Sequence, residues 1–257
     1  MKLETHNLSI RFGKKEVLSD VNLSVETGGF YAIMGSNGCG KTTLLRCLAG
    51  LLEPTSGKVQ LMGRDLHTYS ARQLAQTIAV VRQRAVTDIE FSAFEIVLMG
   101  RNPYQHRLEN ESQSDRDIVE QAMRMTNTWH LRLSKPHEMS GGELQRVMLA
   151  RALAQQTPVM LLDEPTSNLD IAHQYEIMSL LQDFNLEQQK TILIVVHDLN
   201  LAYRYCPKLI LLNNRHIAYQ GPMSEGLTPD HIEEIFHVQA DIVQGNIISK
   251  SIPNQNN

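Results

Sequence analysis

The sequence predicts an α/β fold: a parallel-sheet core, an N-terminal antiparallel β part and a helical subdomain carried between core strands. Three observations predict it. The runs "FYAIM" (30–34), "VMLLD" (159–163) and "TILIVVH" (191–197) are short and nearly continuously apolar, as strands are when helices cover both faces of a parallel sheet. Before them, apolar residues alternate at Leu8, Ile10 and Phe12 and again at Val21, Leu23 and Val25. That is the period of half-buried strands and implies an antiparallel, hairpin-like start. Between the first and second apolar runs, residues 84–156 read mostly as helix.

Composition narrows the function classes. The 257 residues are 42% apolar and 20% charged, ordinary for a globular chain with a sizeable core. A formal charge of -4 supplies no basic field for a nucleic-acid backbone, so nucleic acid is not an expected partner. The start "MKLETHNLSI" resembles neither a signal nor a transit peptide, and no later stretch reaches the roughly 18 apolar residues of a membrane span. A soluble, cytoplasmic chain is expected. Cys39, Cys47 and Cys206 lack CxxC spacing and the ten histidines show no metal-ligand pattern, which argues against a disulfide framework or a zinc site.

Taken in order, "FYAIM" runs into "GSNGCGKT" and then "KTTLLRCLAGLL", with leucines at helical spacing: strand, loop, helix. Within 84–156, "DRDIVEQAMRM" and "ELQRVMLARALAQQ" carry the helical pattern, and "ENESQS" (109–114) is a polar loop. After "VMLLD", Ile171, Tyr175, Met178 and Leu181 recur at helical spacing before the "TILIVVH" strand. In the tail, Thr228 caps a helix over "LTPDHIEEIF" whose first-turn Pro229 needs no amide partner, and a short strand follows at 241–249. We expect one domain over 1–257, with a nucleotide-binding core at 1–83 and 157–221, a helical subdomain at 84–156 and a C-terminal extension at 222–257. The extension reads equally as a dimer support, a regulatory piece or a lid.

Gly35, Gly40, Lys41 and Thr42 fit GxxxxGK[ST] between a strand and a helix, the context a phosphate loop requires. Over Gly35, Ser36, Asn37, Gly38, Cys39, Gly40, Lys41, Thr42 and Thr43, backbone amides and a helix N-terminus converge on phosphate oxygens. Lys41 reaches the β/γ-phosphates and Thr42 suits Mg²⁺. Cys39 reads as a small filler. Asp163 and Glu164 follow an apolar strand, at the end where ligands of α/β sheets bind. Asp163 is the candidate for holding Mg²⁺, and Glu164 the candidate for orienting or deprotonating the attacking water.

A second cradle stands at "MSGGELQR" (139–146). Ser140 and Glu143 form S-x-x-E, and capping alone accounts for those two. It does not account for Gly141 and Gly142, poor choices for a helix's first turn unless something approaches closely. Paired amides at a helix N-terminus make an anion site.

With Met139 to Glu143 the chain resembles the ABC ATPases, whose signature usually reads LSGGQ. The resemblance spans essentially the whole chain with its motifs in order. It implies a P-loop NTPase fold with a RecA-like core. It also implies that the signature of one chain closes on the γ-phosphate bound by another, so two copies make two composite sites for ATP and Mg²⁺. Phe12 matches the adenine-stacking aromatic, Gln83 the Q-loop glutamine that touches Mg²⁺, "SNLD" with Ser167, Leu169 and Asp170 the D-loop, and His197 the switch histidine. Glu143, Met139 and Asn168 stand where glutamine, leucine and alanine are usual. None removes a phosphate ligand.

"EFSAFEIVLMGRNPY" (90–104) and "HDLNLAYRYC" (197–206) look like the matching stretches of ATPases from iron-siderophore, haem and cobalamin importers. The resemblance implies an ATP-hydrolysing subunit peripheral to the cytoplasmic face of the inner membrane. Its partners would be integral membrane permease subunits and an external substrate-binding protein, with other cargo such as molybdate, or action on DNA or ribosomes, as alternatives. Phe91, Phe94 and Tyr104 are candidate anchors for a permease helix or packing for the helical insertion, and Arg101 and Arg107 are candidates to face the membrane side.

Overall fold

In the computed structural model residues 2–82, 90–105, 111–167 and 169–251 are described. Residues Met1–Thr68 with Gln182–Asn257 form one compact unit, and Tyr69–Leu181 form the other. Gln83, Arg107 and Asn168 lie outside the described residues.

The first unit begins with β1 (Lys2–Phe12) and β2 (Lys15–Glu26), paired antiparallel. β3 (Phe30–Gly35) is buried at every position and leads through the loop to α1 (Lys41–Leu48). β4 (Ser56–Leu61) and β5 (Arg64–Asp65) complete an antiparallel sheet in the order β2-β1-β4-β5. Of the period-2 set read from the sequence, Leu8, Ile10, Val21, Leu23 and Val25 are buried, whereas Phe12 at the end of β1 is exposed.

The second unit holds α2 (Ala71–Ala75), β6 (Ile78–Val81), α3 (Ala93–Leu98), α4 (Gln113–Met125), α5 (Gly141–Ala154), β7 (Val159–Asp163) and the start of α6 (Ile171–Gln188). β6 and β7 pair in parallel. Capping boxes at Ser92/Glu95, Ser112/Asp115 and Ser140/Glu143 start α3, α4 and α5. Each one satisfies amide donors that a helix start otherwise leaves orphaned. The first two are as visible in the sequence as the third, at the same three-residue spacing.

The chain returns to the first unit with β8 (Thr191–Val195), α7 (Leu199–Tyr205), β9 (Lys208–Asn213) and β10 (His216–Pro222). β3 runs parallel to both β8 and β9, and β10 is antiparallel to β9. The buried runs β3, β7 and β8 are the three apolar runs of the sequence, and each is covered along its whole length. The tail adds α8 (Met223–Gly226), then α9 (Pro229–Phe236), capped by Thr228, whose hydroxyl accepts from the His231 amide. Where alternation reads one terminal strand, there are two, β11 (Gln239–Val243) and β12 (Asn246–Ser251). Gln244 and Gly245 join them at φ of 50° and 77°, the left-handed pair that a tight hairpin requires.

Arg101 does not face outward. Its side chain is 7% exposed. Nε donates to Asp115 at 2.8 Å and Nη1 donates to the Ala154 carbonyl at 2.8 Å and to Gln156 Oε1 at 3.1 Å. Five guanidinium donors in one plane reach a carboxylate and a helix C-terminal carbonyl at once, a use that spacing alone does not reveal. Tyr104 stacks beneath this guanidinium and donates its hydroxyl to Gln155. Phe94 packs edge-on to Trp129. Both are packing for the helical part, whereas Phe91 stays 46% exposed. The predicted stripe on α6 also divides: Met178 and Leu181 are buried, but Ile171 is 74% exposed.

Candidate nucleotide site

The phosphate loop lies wholly in the first unit, between the end of β3 and Lys41. Gly40 has φ 107°, and a Cβ there would sit 2.6 Å from Leu18 and 3.0 Å from the Val17 carbonyl. Packing against β2 therefore demands glycine, whatever binds. Lys41 is 6% exposed and donates to the Gly35 and Ser36 carbonyls at 2.9 and 3.0 Å. These neutral acceptors hold the ammonium without cancelling its charge, which favours an anion at the loop. Burial pushes the Cys39 thiol up, so it fills space and is a poor nucleophile. Thr42 and Asn37 are exposed and Thr43 half-buried.

Ile33 on β3 pairs with Val195, the last residue of β8, and His197 follows two residues beyond that strand end. His197 is exposed there, and Asp198 beside it caps α7 by accepting from the Leu201 amide at 2.9 Å. Phe12 ends β1 opposite Lys15, 53% exposed. Lys15 is two residues, about 7 Å along a strand, from the Val17 that buttresses Gly40. Within the first unit the loop and His197 thus follow the ends of β3 and β8, and Phe12 ends β1.

The second unit carries the acidic pair and the second cradle. Asp163 ends β7 at 8% exposure. Glu164 follows at φ 49°, a left-handed conformation that costs a residue with a Cβ about 1–2 kcal/mol. The turn is held by Ser167, whose amide and hydroxyl donate to the Glu164 carbonyl at 3.1 and 2.9 Å. Only the fold reveals that strain. Ser140 caps α5: its amide and hydroxyl donate to the Glu143 carboxylate at 2.8 Å each, while its oxygen accepts from the Glu143 amide at 3.3 Å. Those bonds hold the Glu143 carboxyl below the usual range. Asp170 is exposed and bonded to His173, a residue that sequence reasoning passed over.

Gly141 decides whether the cradle fits a ligand. Among the described residues a Cβ built on it meets nothing within 4 Å, so their packing leaves its glycine unexplained. A closely approaching anion explains it. Gly141→Ala is therefore expected to unfold no more easily than wild type, since alanine gains up to about 1 kcal/mol in a helix. Its ATPase rate should nevertheless fall on the order of 10²-fold. Thermal melts beside steady-state turnover check this, and an undiminished rate would remove the cradle from the site.

The family profile described as ABC transporter matches residues 18–167. The chain belongs to the ABC transporter family. This ABC ATPase is 36% identical over 240 residues to the petrobactin import ATP-binding protein FpuD of Bacillus anthracis, covering 93% of this chain and 88% of that one. It is 38% identical over 251 residues to the hemin import ATP-binding protein HmuV of Bordetella pertussis, covering 95% of each. Among solved structures it resembles an inward-facing ABC transporter described as of metal-chelate type, at TM-score 0.82 and 29% identity, covering 96% of this chain and 95% of that one. It also resembles the dimeric ATP-binding cassette MJ0796 bound to ADP and Pi, at TM-score 0.76 and 29% identity, covering 86% and 98%. Among its described residues, no helix of this ABC ATPase is long and apolar enough to cross a membrane.

Proposed function

We propose that this ABC ATPase is the ATP-hydrolysing subunit of an importer for a metal chelate of the iron-siderophore, haem or cobalamin class. It works as a pair of identical chains against separate membrane permease subunits, peripheral to the cytoplasmic face, with an external binding protein delivering cargo. The carrying observation is that one chain holds two glycine-marked helix starts, at Lys41 and at Ser140, and that among the described residues no contact accounts for Gly141 in the second. One nucleotide needs one phosphate loop, so the second cradle serves the ATP of a second chain. The names of the similar import proteins support the cargo class.

In this mechanism Phe12 stacks on adenine and the loop amides of residues 35–43 hold the phosphates. Lys41 leaves its loop carbonyls for phosphate oxygens, which offer full negative charge. Thr42, Gln83 and Asp163 are hard oxygen donors of the kind Mg²⁺ takes, and the bound ion supplies neutralisation of phosphate charge. Glu164 orients the water in line with the γ-phosphorus and accepts its proton. His197 donates toward the γ-phosphate. The opposing Ser140, Gly141 and Gly142 donors stabilise the charge that spreads as the bond breaks, while Asp170 lies beside them. Hydrolysis removes the group that both cradles share, and the pair reopens.

Purification of the full chain with the membranes of its own cells tests this function. We expect an integral membrane permease to co-purify and to change the ATPase rate severalfold. Recovery with ribosomes or DNA and no permease would overturn it.

A further inference from the structure

The first turn of α5 carries two adjacent glycines, each costing roughly 0.5–1 kcal/mol of helix stability relative to alanine, yet its amides must stand aligned to hold an anion. Something outside the helix has to hold that turn. Gly142 is buried, unlike Gly141, and what covers it is the His173 ring. A Cβ built on Gly142 would lie 3.4 Å from both Cδ2 and Cγ of that imidazole. The ring is itself fixed. Asp170 caps α6 by accepting from the His173 amide at 2.9 Å, and the same carboxylate oxygen is 2.7 Å from Nδ1, which places the hydrogen on Nδ1. Further along both helices, Arg146 of α5 reaches Glu176 of α6 at 3.5 Å. Contacts 142/173 and 146/176 mean that the two helices set out side by side in the same sense.

We propose that His173 is a positioning residue for the second cradle, resting on the reading of Ser140–Gly142 as the clamp on a partner chain's γ-phosphate. Asp170 holds the imidazole, the imidazole covers Gly142, and the glycine turn is kept helical before ATP arrives. The ordering cost is met on folding and not on binding, which is what preorganisation contributes to affinity. His173 touches neither nucleotide nor reacting atoms. Its effect is confined to how readily the clamp closes.

The test uses full-length chains carrying Glu164→Gln, so that ATP persists, with light scattering to follow ATP-dependent dimerisation. Binding of a fluorescent ATP analogue to the monomer is measured beside it. Adding His173→Ala should raise the ATP concentration for half-maximal dimerisation by about tenfold and leave monomer binding unchanged, because the phosphate loop is in the other unit. His173→Asn puts an N–H donor where Nδ1 stands and should recover most of the loss. His173→Phe keeps a ring but cannot bond Asp170, and should resemble alanine. Dimerisation indifferent to His173→Ala, or lost equally with asparagine, would overturn the positioning role. If the Glu164→Gln chain alone fails to dimerise, the composite-site reading itself has failed, which is a different result.

Discussion

Glu164→Gln should bind ATP as tightly as wild type, hydrolyse it about 10²- to 10⁴-fold more slowly and accumulate as an ATP-held dimer. Glutamine matches glutamate in shape but cannot take the proton of an attacking water. Glu164 sits at φ 49°, a left-handed conformation that costs any residue with a Cβ about 1–2 kcal/mol. Glutamine bears the same backbone strain, so melting temperature should hold while turnover collapses. Single-turnover hydrolysis with light scattering reads both, and a variant turning over at the wild-type rate would remove Glu164 from the base role.

Arg101→Ala should cost about 3–5 kcal/mol of stability, the range for stranding one member of a buried ion pair. That is a large share of the 5–15 kcal/mol that holds a typical fold. Arg101 ties three pieces: Asp115 in the first turn of α4, the Ala154 carbonyl at the end of α5, and Gln156 beyond it. Gly100 permits this approach, since a Cβ there would sit 2.4 Å from the Arg151 carbonyl. The far end of the helix that begins with the second cradle is fixed by this one guanidinium. Arg101 above all holds the Asp115 carboxyl below its ordinary value. The pair therefore contributes stability fully above the unfolded carboxylate pKa of about 3.9 and loses it as pH falls through the lower folded value. Urea melts at pH 7 and pH 3 should differ less for Arg101→Ala than for wild type. Arg101→Met with Asp115→Leu should regain part of the loss, because an apolar pair strands no charge. An Arg101→Ala chain as stable as wild type would show the pair to be incidental.

The proposed site was carried in the sequence by residues 35–43 and 139–143, because a phosphate loop is written by local chemistry: glycines where amides must converge, then a helix start with lysine and threonine. The buried strands were legible for the same reason, since covering both faces leaves only apolar residues. The hairpin at 239–251 was not, because its turn is set by the positive φ of Gln244 as well as Gly245, and glutamine gives no such signal. Arg101 was misread as outward-facing. An arginine after glycine in an exposed-looking run carries no mark of the Asp115 that it meets fourteen residues later.

By itself the sequence determined the α/β class, and it carried the motifs of the proposed site: the glycine loop, the acidic strand end and the second glycine-marked helix start. These depend on neighbours a few residues apart. Only the tertiary structure decided that Gly40 is required by β2 while a Cβ on Gly141 meets nothing among the described residues. It alone put Val195, two residues before His197, beside Ile33, strained Glu164 and laid His173 against Gly142. Each of those facts is a distance between segments far apart in sequence, fixed by strand register and helix packing.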